Sequence, residues 1–238
     1  MIVRDEGTTF LVITQPDHAR VSADLVAALQ TEPALRTASR DTILLATREH
    51  DNGWAEVDAE PTVEPTGRPR DFMTGPAAVR QELWTRGVTR VAKMDPHAGA
   101  LVAQHALTVY AHRQGDPDWK PFFASIFTLR DDLLQQLGLA TGPARDAFAL
   151  EYRCVFLGDA LSLQWCNEWP GPEEPLGYQA TMEGDALVVS PDPFAGATVP
   201  FRVLGRRIPA RRYRDDPDLR EALAAAAPIV VAGEARGV

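Results

Sequence analysis

The sequence predicts an α+β protein that is mostly α, with a helical core and a small antiparallel sheet built from both chain ends. Two observations predict this class. Apolar residues recur at helical spacing through much of residues 14–170, whereas strand-like runs bounded by turn residues occur in residues 1–13 and 171–213. With 238 residues, 45% of them apolar, the chain can bury the core of a single domain.

The N-terminal segment, residues 1–13, predicts a hairpin of two short strands, MIVRD and TFLVI, around a Glu-Gly turn. The first helix is expected to begin after Thr14, because Thr14 and Asp17 have capping-box spacing and Pro16 suits a first turn. This start places His18 in the first turn of the first helix.

Five further helices are predicted in the middle of the chain. The second runs from Ser39 to His50, where an Asn-Gly pair breaks it. Residues 55–75 are rich in Pro, Gly and charge and predict a long loop, either a functional lid or a tolerated insertion. The other helices are expected at residues 76–87, 95–113, 118–137 and 143–168.

After Trp169 the composition changes, and residues 171–213 carry strand-like runs such as ALVVS and TVPFRVLG. We expect these runs to pair with the N-terminal hairpin, because strands at chain ends must find partners for their main-chain groups. A short last helix is predicted at residues 218–227, and the final dozen residues predict a loose tail. The single domain, 1–238, thus has four expected segments: 1–13, 14–170, 171–213 and 214–238.

Composition excludes several classes of protein. The formal charge of −9 argues against a nucleic-acid partner, since phosphate contacts need clustered Lys and Arg. No apolar run approaches 18 residues and no N-terminal signal is visible, so no membrane partner is expected. Cys154 and Cys166 lie twelve residues apart in one predicted helix, about 18 Å, too far for a disulfide. These features predict a soluble, cytoplasmic protein.

Four ionisable residues spread along the predicted helices suit a metal site: His18, His50, Asp51 and Asp159. Imidazole and carboxylate together bind Fe, Mn or Zn. Asp159 is the hardest to explain otherwise, because it lies mid-helix in the apolar run FLGDALSL, where a charge is costly unless paired or metal-bound. For the others, a surface histidine, a core histidine and a turn-capping aspartate remain alternatives.

The predicted fourth helix carries three histidines, and His105 is the one expected in the site. His105 and His112 are seven residues apart, about 10 Å along a helix, so they cannot share one ion whose ligand bonds are about 2 Å long. His105 is expected to bind a second metal or a substrate anion, with a core role as the alternative. His97 and His112 are expected at the surface.

Residues around the His50-Asp51 doublet are candidates for the remaining roles. Glu49 could act as general base on a metal-bound water, or be an exposed helix charge. Gln15, Arg48, Asn52 and Trp54 are candidates for substrate binding, with a turn role for Asn52 as the alternative. No P-loop, dinucleotide-binding fingerprint or nucleophile elbow is present.

A lone histidine, a His-Asp doublet and a distant aspartate resemble, in that order, the HD superfamily of metal-dependent hydrolases. The stretches ITQPDHA, REHDNGWAEVD, TGRPRDFM, DPHAGALVAQH, GDALSLQWC and SPDPF are more closely similar to a bacterial family catalogued only as domain of unknown function 3891. That family brings no assigned activity. The HD resemblance implies an HD-like helical core and a metal at His18, His50, Asp51 and Asp159.

The expected activity is therefore metal-dependent hydrolysis of a nucleotide or small phosphate ester, with one or two divalent ions of Fe, Mn or Zn. His105 or Arg48 would bind the phosphate. One alternative is an HD-type di-iron oxygenase acting on a small polar substrate. Another is a non-catalytic protein that binds a metal or a small molecule. The expected partner is a small-molecule substrate, and a homodimer is left open.

Overall fold

The computed structural model describes residues 1–169 and 173–238, and its architecture is α+β and mostly helical. The helices are α1 (Gln15–Ala28), α2 (Arg40–Glu49), α3 (Ala55–Ala59), α4 (Ala77–Met94), α5 (Pro96–Val109), α6 (Lys120–Gln136), α7 (Gly142–Asn167) and α8 (Asp216–Ala225). The strands are β1 (Ile2–Asp5), β2 (Thr9–Ile13), β3 (Gln179–Glu183), β4 (Ala186–Ser190), β5 (Thr198–Pro209) and β6 (Pro228–Gly237).

The strands form one curled six-stranded sheet in the order β1-β2-β5-β6-β4-β3. The N-terminal hairpin joins it through β2, which runs antiparallel to β5 with Phe10 opposite Ile208. The predicted pairing of residues 1–13 with a later strand is thus confirmed. The expectation of a purely antiparallel sheet is wrong, because β4 and β6 are parallel, with Val188 opposite Arg236.

The sheet lies between the main helical layer and α8. Alternate residues of β2 show this, since Leu11 and Ile13 join the core that includes α1 and α7. Phe10 and Val12 point the other way into a smaller core with Leu219 of α8. This alternation is the period of two that the strand backbone imposes.

The end of the segment 214–238 was predicted to be a loose tail, and this prediction is wrong. Residues 228–237 form β6, which lies inside the sheet between β5 and β4. The β-branched run Ile229, Val230 and Val231 favours a strand, and only its position at the chain end suggested a loose tail. Further along, the strand packs its backbone against large rings, since a side chain at Gly233 would meet the rings of Trp165 and Phe201 at 2.5–2.6 Å.

Several predicted boundaries are corrected. The third predicted helix does not end at Gly87 but continues to Met94 as α4. Glycine at position 87 instead allows α4 to approach the backbone of Gly53, since a Cβ added at Gly87 would lie 3.2 Å from the Gly53 nitrogen. The fourth predicted helix ends at Val109 rather than 113 and is followed by a 3₁₀ turn, Ala111–Arg113. Residues 55–75, predicted as a long loop, include the short helix α3. Strand β3 was not predicted.

The expected boundary between segments 14–170 and 171–213 lies outside the described residues. Cys154 and Cys166 are both free and buried, in agreement with the spacing argument. None of the described helices combines the length and apolar character that crossing a membrane requires.

Candidate metal centre

Five predicted residues from four parts of the chain meet in the helical layer. His18 lies in the first turn of α1, which Thr14 caps by accepting a hydrogen bond from the backbone nitrogen of Asp17. His50 is the C-terminal cap of α2, and Asp51 follows it. His105 lies on α5 and Asp159 on α7. The predicted side chains thus share one place although up to 141 residues separate them in sequence.

Glycine allows the helices that carry these residues to approach closely. A Cβ added at Gly158, beside Asp159, would lie 2.5 Å from Cγ2 of Val26 on α1 and 3.2 Å from Cγ2 of Thr47 on α2. Real Cβ atoms cannot be that close to a neighbouring side chain, so α7 needs glycine here. The resulting contact brings Asp159 to the histidines of α1 and α2.

Four donor atoms, two imidazole nitrogens and two carboxylate oxygens, lie close together. Nε2 of His18 lies 3.2 Å from Oδ2 of Asp51 and 3.4 Å from Oδ1 of Asp159. Nε2 of His50 lies 3.5 Å and 3.3 Å from the same two oxygens. Ligands bonded to one ion at about 2.0–2.1 Å in a tetrahedron would be about 3.3–3.4 Å apart. The four nitrogen–oxygen separations therefore match those between neighbouring ligands of a transition-metal ion.

Hydrogen bonds on the far side of each imidazole leave a lone pair at Nε2. Nδ1 of His50 donates to the carbonyl oxygen of Thr47 at 2.7 Å. Ser162 donates its hydroxyl proton to the carbonyl of Asp159 at 3.0 Å, so its oxygen accepts from Nδ1 of His18 at 2.7 Å. Metal-binding histidines are commonly oriented in this way.

Nε2 of His50 is buried and without a hydrogen-bond partner, although it lies within 3.5 Å of two carboxylate oxygens. Lone pairs that face each other in a buried site repel unless a cation lies between them. A proton can supply that charge. Burial lowers the pKa of His50, but the charges of Asp51 and Asp159 outweigh burial and raise it to about 9. The same position can hold a metal ion instead.

His105 approaches the other oxygen of Asp159. Its Nε2 lies 3.4 Å from Oδ2 of Asp159, and its ring is 5.0 Å from that of His50. His50, His105 and Asp159 thus form a second group of three possible ligands, whose donor atoms lie within 4.8 Å of one another. His50 belongs to both groups, and its one free nitrogen can bind only one ion, so a second ion beside the first would be held by His105 and Oδ2 of Asp159.

The cluster is almost wholly removed from solvent. The three histidines are at most 1% exposed, whereas Asp51 is 5% and Asp159 8% exposed. Burial would raise the pKa of Asp159, but its contacts with His105 and His50 outweigh burial and hold that pKa well below its usual range. The two carboxylates are thus the most exposed members of the cluster.

The other residues predicted to bind substrate have different positions in the structure. Gln15 joins the cluster, since its Nε2 donates to Oδ2 of Asp51 at 3.0 Å. Asn52 holds the turn, because Nδ2 donates to the carbonyl of Glu49 at 2.6 Å and Oδ1 accepts from Arg90 at 3.0 Å. Trp54 is buried at 3% exposure, with its ring near Gly75.

The two candidates on α2 before the doublet, Arg48 and Glu49, make no hydrogen bond or ion pair with the cluster within the described residues. Arg48 is exposed, and its charge acts on Asp24 of α1. Glu49 is half-buried, and its side chain has neither a hydrogen bond nor an ion pair within the described residues. Of the two remaining histidines, His112 is exposed, whereas His97 is half-buried with Nε2 2.6 Å from Oε2 of Glu151.

Sequence reasoning missed the residues that orient the ligands. Ser162 lies three residues after Asp159 and contacts His18, while Ser22 lies four residues after His18 and is 2.7 Å from the Ser162 hydroxyl. Thr47 lies three residues before His50. Helical neighbours at three or four positions share a face, so polar residues at that distance from each ligand were the available signal.

Two cavities of about 520 Å³ each lie near the site, but neither is lined by the five cluster residues. Both are lined by Met1, Asp58 and Pro61. Asp58 connects them to the cluster, because its Oδ2 accepts from the backbone nitrogen of Gln15 at 2.7 Å. Gln15 in turn holds Asp51.

Fold and site together define an α+β protein with a buried histidine–aspartate cluster that can hold metal. Residues 1–210 match the family model described as Protein of unknown function (DUF3891), and the chain belongs to this family. The matched range includes all five cluster residues and ends before α8 and β6. Neither a curated protein nor a solved structure matches the chain.

Proposed function

We propose that the protein is a metal-dependent phosphohydrolase that acts on a nucleotide or small phosphate ester. One or two divalent ions of Fe, Mn or Zn would be held by His18, His50, Asp51, His105 and Asp159. The observation that carries the proposal is the buried set of two imidazole nitrogens and two carboxylate oxygens, with nitrogen–oxygen separations of 3.2–3.5 Å and with Nε2 of His50 lacking a hydrogen-bond partner. Mixed nitrogen and oxygen donors at these distances suit those ions.

A bound metal would lower the pKa of a water molecule and polarise a phosphoryl oxygen. The chain's own residues would prepare the site. Ser162 and Thr47 hold the imidazoles of His18 and His50, while Gln15 holds the Asp51 carboxylate. Glu49 remains the candidate general base, since its half-buried carboxylate adjoins the doublet and is not engaged elsewhere among the described residues.

Membership of the HD superfamily, with an HD-like helical core, is part of this proposal. It is supported by the order of the five residues along the chain and by their positions on α1, α5, α7 and the end of α2. His105 in this reading binds the phosphate or a second ion.

One alternative, a di-iron oxygenase of the HD type, is favoured by the second group of ligands. Oδ1 of Asp159 lies near His50 and Oδ2 lies near His105, so this carboxylate could bridge two neighbouring ions, with His105 on the second. The other alternative, a non-catalytic metal- or small-molecule-binding protein, is favoured by the two cavities that the cluster does not line.

The test is a panel of phosphomonoesters and nucleotides assayed on protein loaded separately with Mn²⁺, Fe²⁺ and Zn²⁺. Release of phosphate that Asp159→Asn abolishes is the expected result. Oxygen consumption by the iron-loaded protein, without phosphate release, would support the oxygenase. Bound metal with neither reaction would support the non-catalytic alternative.

A further inference from the structure

A second polar cluster lies beside the metal ligands, around Arg80 on α4. The half-buried guanidinium of Arg80 lies 5.7 Å from the ring of Tyr110 and 5.8 Å from the ring of Trp119. Within the described residues no carboxylate forms an ion pair with it. A cation that stacks on aromatic rings without an acidic partner keeps its charge available for another group.

Hydrogen-bond donors at this cluster outnumber acceptors. Nε of Arg80 is buried and has no hydrogen-bond partner. The hydroxyl oxygen of Tyr110 accepts from Nε1 of Trp84 at 3.2 Å, which leaves the hydroxyl proton to point elsewhere. A buried donor without an acceptor costs about 1–3 kcal/mol, and more when it is charged. The cluster therefore suits an acceptor-rich, negatively charged group.

Trp84 lies between this cluster and the metal ligands. Its ring is 6.1 Å from that of Tyr110 and 5.8 Å from that of His105, so a single indole separates the two places. Burial, with a smaller contribution from the charge of Asp51, raises the pKa of Tyr110 to about 12. The hydroxyl thus keeps its proton at neutral pH, and it remains a donor.

We propose that Arg80 and Tyr110 bind a second anionic group of the substrate, a carboxylate or a phosphate, while the group to be cleaved lies at His105 and Asp159. The planar guanidinium matches either group with paired hydrogen bonds. The inference rests on the proposed function and narrows its substrate to small phosphate esters with a further negative group. Arg80, rather than the predicted Arg48, would then be the arginine that binds an anionic group of the substrate.

Binding of inorganic sulfate to the metal-free protein, measured by calorimetry, tests the anion site without any reaction. Arg80→Met removes charge and donors at similar length, and Tyr110→Phe removes one hydroxyl. Arg113→Met is the matched control, because Arg113 lies over the same Trp119 ring at 6.0 Å but is 3.6 Å from Asp116. We expect saturable binding that Arg80→Met weakens at least tenfold, Tyr110→Phe weakens less, and Arg113→Met leaves unchanged.

Sulfate binding that is absent from the parent, or unaffected by both Arg80→Met and Tyr110→Phe, would overturn the proposal. If Arg80→Met fails to fold, Tyr110→Phe and Arg80→Lys still decide it, since each should weaken binding in a folded chain. A second assay compares phenyl phosphate with a carboxyphenyl phosphate on metal-loaded protein. Arg80→Met should reduce kcat/KM for the carboxylated ester alone.

The two assays separate failure of this inference from failure of the proposed function. Sulfate binding at Arg80 in a chain that cleaves no ester would remove the hydrolase and keep the anion site. Cleavage of both esters with equal efficiency by parent and Arg80→Met would keep the hydrolase and remove the substrate assignment.

Discussion

Replacing Asp159 with asparagine tests the metal centre with the least change of shape. Oδ1 of Asp159 lies 3.4 and 3.3 Å from Nε2 of His18 and His50, and Oδ2 lies 3.4 Å from Nε2 of His105. The amide carries no charge, and its nitrogen donates rather than binds a cation. Metal affinity should therefore fall by more than the roughly 10–100-fold that changes to supporting residues cost.

The effect can be measured as a shift in the unfolding temperature. A ligand at 100 times its Kd stabilises the native state by about 2.7 kcal/mol. In a chain of 238 residues each kcal/mol raises Tm by roughly 2–4 °C. Metal added to chelator-treated parent should thus raise Tm by roughly 5–11 °C. The same metal should leave the Tm of Asp159→Asn unchanged.

Glu151→Gln is the matched control for this scanning-calorimetry experiment. Glu151 lies on the same helix and also places a buried carboxylate against a histidine, with Oε2 2.6 Å from Nε2 of His97. The control should lower Tm equally with and without metal, because it breaks an ion pair outside the cluster. A metal-induced rise in Asp159→Asn as large as in the parent would refute the ligand role.

Three further predictions concern the supporting structure. Ser162→Ala removes the acceptor that holds Nδ1 of His18 and should weaken metal binding about 10–100-fold in a competitive chelator titration, with unchanged affinity contradicting the role. Removing residues 228–237 exposes the edges of β4 and β5, so cooperative thermal unfolding should be lost, and a preserved transition would contradict the central position of β6. The pKa of Glu6 is lowered from 4.5 to about 2, chiefly by its hydrogen bond with Arg207. This part-exposed pair should therefore contribute about 1 kcal/mol to the free energy of unfolding above pH 4.5, and this contribution should be lost as the pH falls through 2. Glu6→Gln should make the free energy of unfolding less dependent on pH over that interval, and a pH profile identical to that of the parent would count against the pair.

The sequence was most informative where a local rule decides the structure. Thr14 and Asp17 predicted the start of α1 because a capping interaction needs only neighbouring residues. Asp159 predicted a site because a mid-helix carboxylate among apolar residues needs a partner wherever the helix lies. The placement of His18 and His50 beside it was expected from the order of these residues along the chain and from the resemblance to the HD superfamily, not from a local rule.

The sequence was least informative where a residue's role depends on what packs against it. Gly87 looks like a helix end in the sequence, yet it lies inside α4, where the absence of a side chain allows the backbone of Gly53 to approach closely. The run Ile229 to Val231 is strand-like, but its place inside the sheet depends on β5 and β4, which pair with it from elsewhere in the chain. Arg80 could not be distinguished from other arginines, because its proposed role depends on Tyr110 and Trp119, about 30–40 residues later in the chain.

The metal-to-chain ratio of protein purified without chelators tests the central claim most directly. Elemental analysis by mass spectrometry should find at least one equivalent of Fe, Mn or Zn per chain, and the content should fall to background in Asp159→Asn while Glu151→Gln keeps the parent's ratio. Background metal in the parent, persisting after incubation with each of the three ions, would contradict the account.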